Sequence, residues 1–200
     1  MCGRYCAMKS NRWDDHYARR ARDERWLARS VYKLKEIDKK FGLLRRGDRV
    51  LDLGCNPGSW AQYSLQKVGP KGDVVGIDLT NPRHLSAPNF RFIEADVLTV
   101  DLERLSGQIH LRDVVLSDLA PPTTGIRARD ESRSLELGRR ALEMARTLLK
   151  QRGRFVCKLF EGEDLETFAA SLSADFRETR RFRPEATRKR SREVYLIASK

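Results

Sequence analysis

The 200-residue chain has no apolar run of membrane-spanning length, and its basic N-terminus lacks the apolar core of a secretion signal. The sequence therefore reads as a soluble, cytoplasmic protein without a membrane partner. Cysteine is sparse, with Cys2, Cys6, Cys55 and Cys157 scattered along the chain. Cys2 and Cys6 have no second ligand pair, so no metal site is expected, and isolated thiols suit a reducing compartment. There is no internal repeat and no low-complexity linker. Residues 13–200 are expected to form one domain that includes a basic N-terminal helix, after a polar lead-in over residues 1–12. A monomer is expected.

Basic residues are abundant. Lys and Arg number 40 against 28 Asp and Glu, giving a formal net charge of +12 and a pI near 9.9. Such an excess points to a polyanion, nucleic acid before membrane, because counterion release drives that association. Two stretches concentrate it. Asp14–Phe41 has helical spacing, with Tyr17, Ala21, Leu27, Val31, Leu34 and Ile37 on one side and Arg19, Arg20, Arg22, Arg25 and Arg29 on the other. Residues 183–192 form a basic loop containing Arg188, Lys189 and Arg190. Arg19, Arg22, Arg29, Arg188, Lys189 and Arg190 are the candidate RNA contacts. Trp26 and Tyr32 either offer faces to open bases or pack inward.

The chemistry gathers at Val50–Trp60, where an apolar strand stops at Asp52 and passes through Gly54 and Gly58 into a helix start. The glycines let the main chain approach a ligand closely, at the carboxyl end of a strand where open α/β sheets bind ligands. A second strand, Asp73–Leu79, places Asp78 about 25 residues later, an offset that suits a ribose-binding acid. The G-x-G-x-x-G pattern is missing, which leaves little room for a pyrophosphate. An adenosine ligand without one fits better, S-adenosylmethionine above all, and a nicotinamide dehydrogenase is the weaker reading. A third strand, Asn89–Ile93, is followed by Asp96, a candidate partner for the adenine amino group.

Further along, Asp113–Leu116 leads to Asp118, stiffened by Pro121 and Pro122. Ser132–Lys150 reads as the longest helix, broken by Gly153. Arg154–Phe160 is a fifth strand with Lys158 among its apolar residues, an unusual place for a lysine. Asp164–Leu172 is helical, Phe176–Phe182 a sixth strand and Glu193–Ala198 the last. The alternation predicts an α/β fold: a mostly parallel seven-stranded sheet with helices on both faces. The loop before the last strand is too short for a crossover, so that strand should run antiparallel. Asp118, Lys158 and Glu193 then meet at one sheet edge.

Lys33, Asp118, Lys158 and Glu193 lie in Arg-Ser-Val-Tyr-Lys-Leu, Ser-Asp-Leu-Ala-Pro, Val-Cys-Lys-Leu-Phe and Ser-Arg-Glu-Val-Tyr. With Asp-Leu-Gly-x-x-Pro-Gly-x-Trp, the chain from about Ala28 onward closely resembles the FtsJ/RrmJ family of RNA ribose 2′-O-methyltransferases. The resemblance implies a Rossmann-like methyltransferase fold. It implies an S-adenosylmethionine pocket lined by Gly58, Trp60, Asp78, Asp96 and Asp118, next to Gly54. It also implies catalysis centred on Lys158, assisted by Lys33, Asp118 and Glu193. Compact bacterial members look like modifiers of a uridine in 23S ribosomal RNA of the large subunit. Transfer RNA or a messenger cap, or a non-catalytic role in ribosome assembly, are the alternatives. Cys55-Asn56 and Pro122 depart from the family pattern, which commonly has two small residues and an asparagine there.

Overall fold

The computed structural model describes residues 12–200. Cys2, Cys6 and nearly all of the polar lead-in lie outside the described residues. The elements are α1 (Arg12–Asp23), α2 (Val31–Phe41), β1 (Arg49–Leu53), α3 (Ser59–Val68), β2 (Asp73–Asp78), β3 (Phe90–Glu94) and α4 (Leu102–Ile109). There follow β4 (Arg112–Ser117), α5 (Arg127–Leu148), β5 (Leu149–Phe160), α6 (Leu165–Leu172), β6 (Glu178–Phe182) and β7 (Glu193–Ser199). The seven strands form one sheet in the order β3-β2-β1-β4-β5-β7-β6. β7 runs antiparallel to both of its neighbours, while β1 to β5 pair in parallel.

The inner strands are nearly continuous apolar runs because both of their faces are covered. On one face Leu51, Leu53, Val75, Val115, Phe155 and Leu196 pack with α4, α5 and α6. On the other, Val50, Val74, Val114, Val156 and Tyr195 pack with α1, α2 and α3. Each fully buried large side chain contributes about 1.5–3 kcal/mol. Gly138 lets α5 pack closely on the sheet, since a Cβ there would lie 2.5 Å from Leu159 Cδ2. Parallel pairing sends the ends of β1, β2, β3, β4 and β5 to one edge, and β7 starts from that edge. This is what assembles the site. No helix among the described residues is long and apolar enough to cross a membrane.

Several boundaries differ from the sequence reading. The single helix expected over Asp14–Phe41 is two helices, with the chain turning at residues 24–30 and Arg25 at φ 59°. The break is held by tertiary partners from α3. Gln62 accepts from the Leu27 amide (3.0 Å) and donates to the Arg25 carbonyl (2.9 Å), and Trp60 Nε1 donates to the Ser30 carbonyl (2.9 Å). α4 is an element the sequence reading missed. Asp101 caps it by accepting from the Arg104 amide at 3.0 Å, and Leu105 and Ile109 are buried. α5 starts at Arg127 rather than Ser132, its first turn fixed by Asp130, which accepts from Thr124 N and Oγ1 at 2.8 Å each. It ends at Leu148, before Gly153. Leu149 and Arg154 pair with Arg112 and Val114, so the residues between them bulge out of the ladder.

Candidate active site

A cavity of about 540 Å³ opens at the carboxyl edge of the sheet. Gly54, Asn56, Asp78, Asp96 and Asp118 are on its wall, with Leu79, Leu98 and Pro122. Gly54 has φ +76°, and a Cβ there would sit 2.9 Å from Leu119 Cδ2 and 3.3 Å from the Leu119 backbone. Both conformation and space therefore require glycine at the turn. Asp78 is oriented by the Asn56 amide (3.0 Å) and the Thr80 amide (2.9 Å), and Asp96 by the Leu98 amide (2.9 Å). Two carboxylates so braced keep free lone pairs for a ligand's hydroxyls or amino group. Leu79 is 67% and Leu98 40% exposed, large apolar side chains standing at the cavity's side. An apolar, flat ligand part between them would remove that exposure.

Two residues expected on this wall stand elsewhere. Trp60 is buried in the core on the α2 side, its ring centroid 5.9 Å from that of Tyr195. Its indole N–H is already spent on Ser30. Gly58, at φ +110°, is backed by Leu27 and Leu85 rather than facing the cavity. Both residues shape the turn from behind. The unusual Cys55 also points away from the ligand space. It is buried, and its thiol fills the room left by Gly76, where a Cβ would lie 2.7 Å from Sγ. Burial pushes that thiol's pKa upward, so it has little thiolate character. Asn56 and Pro122 are the departures that do line the cavity.

Beneath the turn, Asp52 is fully buried, and neither side-chain oxygen has a hydrogen-bond partner. Burial first, then the charges of Asp118 and Asp78, push its pKa up to about 8. The sequence pattern suggested a carboxylate presented at the ligand-binding end of the strand; Asp52 is instead enclosed within β1, beneath the turn.

Lys158, Asp118, Lys33 and Glu193 do come together. Lys158 is 5% exposed; its Nζ donates to the Asp118 carbonyl at 2.6 Å and lies 3.2 Å from Asp118 Oδ1. Lys33, on α2, forms an ion pair with Glu193 at the start of β7. The register places Lys158 opposite Tyr195 and Phe160 opposite Glu193. Tyr195 was not singled out in the sequence, yet its hydroxyl donates to Asp118 Oδ1 at 2.8 Å. Its position two residues after Glu193 on a strand was the available signal, since such residues share a face. Burial acts to raise the Asp118 pKa, but Lys158, Lys33 and the Tyr195 hydroxyl outweigh it, and the carboxyl is held below its ordinary range. The Tyr195 hydroxyl is pushed well above its own, by burial and then by Asp118 and Glu193. Asp118 is thus a carboxylate shared between the cavity wall and Lys158.

Among the basic candidates, Arg19 and Arg22 are exposed on α1, and Arg188, Lys189 and Arg190 are exposed on the loop before β7. Arg29 differs: its guanidinium donates to the Ala186 carbonyl at 2.9 Å and lies 5.5 Å from the Tyr17 ring, so it braces the fold. Tyr32 is buried beneath Arg20 (4.8 Å) and Lys35 (5.5 Å), and Lys35 also lies over Trp26 at 4.9 Å. Those ring faces are covered by the protein's own cations and act as packing.

Known proteins resemble this chain over most of its length. A family model described as FtsJ-like methyltransferase matches residues 26–200. The chain is 45% identical over 189 residues to a protein of Desulfosudis oleivorans named ribosomal RNA large subunit methyltransferase E, covering 94% of this chain and 91% of that one. A protein of the same name from Bdellovibrio bacteriovorus is 45% identical over 186 residues, covering 92% and 94%. A crystal structure described as a ribosomal RNA methyltransferase from Plasmodium falciparum superposes with TM-score 0.76 at 27% identity, over 87% of this chain and 97% of that one.

Proposed function

Because this chain belongs to the FtsJ-like methyltransferase family, we propose that it methylates large-subunit ribosomal RNA at the 2′-hydroxyl of a ribose, with uridine as the base and S-adenosylmethionine as donor. The observation that carries the reading is Asp118, which borders the cofactor-sized cavity on one side and holds Lys158 on the other. The names of the relatives support the ribosomal substrate. The cavity supports the donor: braced acids suit a ribose and an adenine amino group, exposed leucines suit the faces of a purine, and Gly54 allows close approach of the backbone. When bound, S-adenosylmethionine supplies a methyl group already activated by its sulfonium.

The remaining work falls to this chain's own residues. A ribose hydroxyl is a weak nucleophile, so alignment supplies much of the rate. Two of the three Lys158 donor positions are directed at Asp118, which fixes where the third position, or a lone pair, points. In its neutral amine form, after one ammonium proton has passed to water, Lys158 orients the hydroxyl, and its lone pair receives the hydroxyl proton, which restores the ammonium beside Asp118. The Lys33–Glu193 pair, alongside, holds the ribose. Arg19, Arg22 and the exposed Arg188, Lys189 and Arg190 contact phosphates, which set position and carry little sequence information. Residues 13–200 act as one domain.

The reading is tested by transfer of labelled methyl to undermethylated large ribosomal subunits, free ribosomal RNA and transfer RNA, with the product located as a 2′-O-methyl nucleotide. Label at one uridine ribose of the large subunit supports it; label only in transfer RNA replaces the substrate. The surface has a separate test. The Arg188→Glu/Lys189→Glu variant is expected to bind RNA at least about tenfold more weakly, with a flatter dependence of log K on log salt. An unchanged slope removes this loop from the interface.

A further inference from the structure

The basic loop at 183–192 is anchored before any RNA arrives. Glu36 of α2 accepts hydrogen bonds from two successive amides, Glu185 at 2.6 Å and Ala186 at 3.0 Å. Arg29 donates to the Ala186 carbonyl from the other side. Turns within the loop are closed by Thr187 N to Pro184 O (3.0 Å) and Ser191 N to Arg188 O (2.9 Å). Ala186 and Thr187 are only 1% and 5% exposed, so the anchor is packed as well as hydrogen-bonded. Arg188, Lys189 and Arg190, which follow directly, are exposed.

A half-buried carboxylate on this side of the molecule is costly in two ways. It gives up water, and its charge opposes a polyanion. Its placement on two amides of the loop is the return. Lys33, which pairs with Glu193, lies one turn earlier on α2. A single helix therefore fixes both the site's ion pair and the cationic loop.

We infer that Glu36 is a positioning residue for the RNA, gripping residues 185–186 so that Arg188, Lys189 and Arg190 stand in fixed relation to the Lys33–Glu193 pair. This rests on the reading above that the loop meets RNA. Phosphates flanking the target ribose then meet cations whose backbone is already ordered, and association loses less conformational freedom.

The experiment measures kcat and KM for undermethylated large ribosomal subunits across a salt series. It compares wild type, Glu36→Ala, Glu36→Gln, a triple Arg188→Ala/Lys189→Ala/Arg190→Ala variant, and the triple combined with Glu36→Ala. Glu36→Ala is expected to raise KM about tenfold through added ordering cost. It should leave kcat within about twofold, since the reacting groups are untouched. Its salt slope and cofactor affinity should match wild type, because the loop's charges remain. Glu36→Gln keeps one acceptor and should fall between. In the triple background Glu36→Ala should add nothing, because there are no cations left to position. A wild-type KM for folded Glu36→Ala and Glu36→Gln overturns the inference, as does an equal rise in the triple background. A triple variant with wild-type KM and salt slope overturns the RNA-surface reading itself and this inference with it.

Discussion

Replacement of Lys158 by alanine is expected to lower the single-turnover rate of methyl transfer, with RNA and donor saturating, by about 10²–10⁴-fold. The geometry assigns Lys158 two contacts to Asp118, so its removal takes away both the group that meets the hydroxyl and the partner that orders the acid. Donor affinity should change much less, because Asp78, Asp96 and the Gly54 turn are braced by backbone amides independent of Lys158. Lys158→Arg separates charge from proton transfer. An arginine keeps the positive charge but does not deprotonate in a protein. It should therefore stay within about tenfold of the alanine variant if Lys158 receives the proton. Near-normal single-turnover methylation by Lys158→Ala removes this role from the mechanism.

A second large effect is expected from Asp52→Asn, read as stability against pH without ligand. In the folded protein Asp52 keeps its proton up to about pH 8, whereas in the unfolded chain the carboxyl ionises near its ordinary 3.8. Between those values the folded state binds the extra proton, so the contribution of Asp52 to stability falls as pH rises, levelling off above about 8. From pH 5 to pH 8 wild type should lose about 1–3 kcal/mol more than Asp52→Asn, one proton over three pH units setting a ceiling near 4 kcal/mol. Urea denaturation at the two pH values measures the difference. Parallel profiles for the two proteins would place the Asp52 pKa in the ordinary carboxylate range.

Why some residues were legible in the sequence and others not has a physical basis. Asp118, Lys158 and Glu193 could be placed because strand ends in a parallel sheet share an edge, a rule that needs only the order of elements. Lys33 sits inside a helix whose orientation no local pattern reveals, and it was placed through the family resemblance. Tyr195 looked like any core aromatic in a strand; its spacing from Glu193 put it on the same face, but the hydrogen bond from its hydroxyl to Asp118 shows the task. Trp60 shows the reverse. The family resemblance implied a place on the ligand wall, yet the first turn of α3 aims it into the core on the opposite side. The break between α1 and α2 was invisible because the Gln62 and Trp60 side chains that hold it lie thirty or more positions from their partners. Arg29 read as a candidate RNA contact for the same reason: its acceptor, Ala186, is distant in sequence.

The place of β7 has a consequence for how the molecule is made. It pairs with β5 on one side and β6 on the other, both earlier in the chain. A polypeptide emerging from the ribosome presents β5 and β6 before the strand that must slot between them exists, and domains acquire structure vectorially during synthesis. Until residues 193–199 arrive, two rows of backbone donors and acceptors stay open to other strands. Glu193 and Tyr195 enter with that same strand. Closing the sheet and completing the cluster around Asp118 are therefore a single event, and a nascent chain stopped short of β7 has neither.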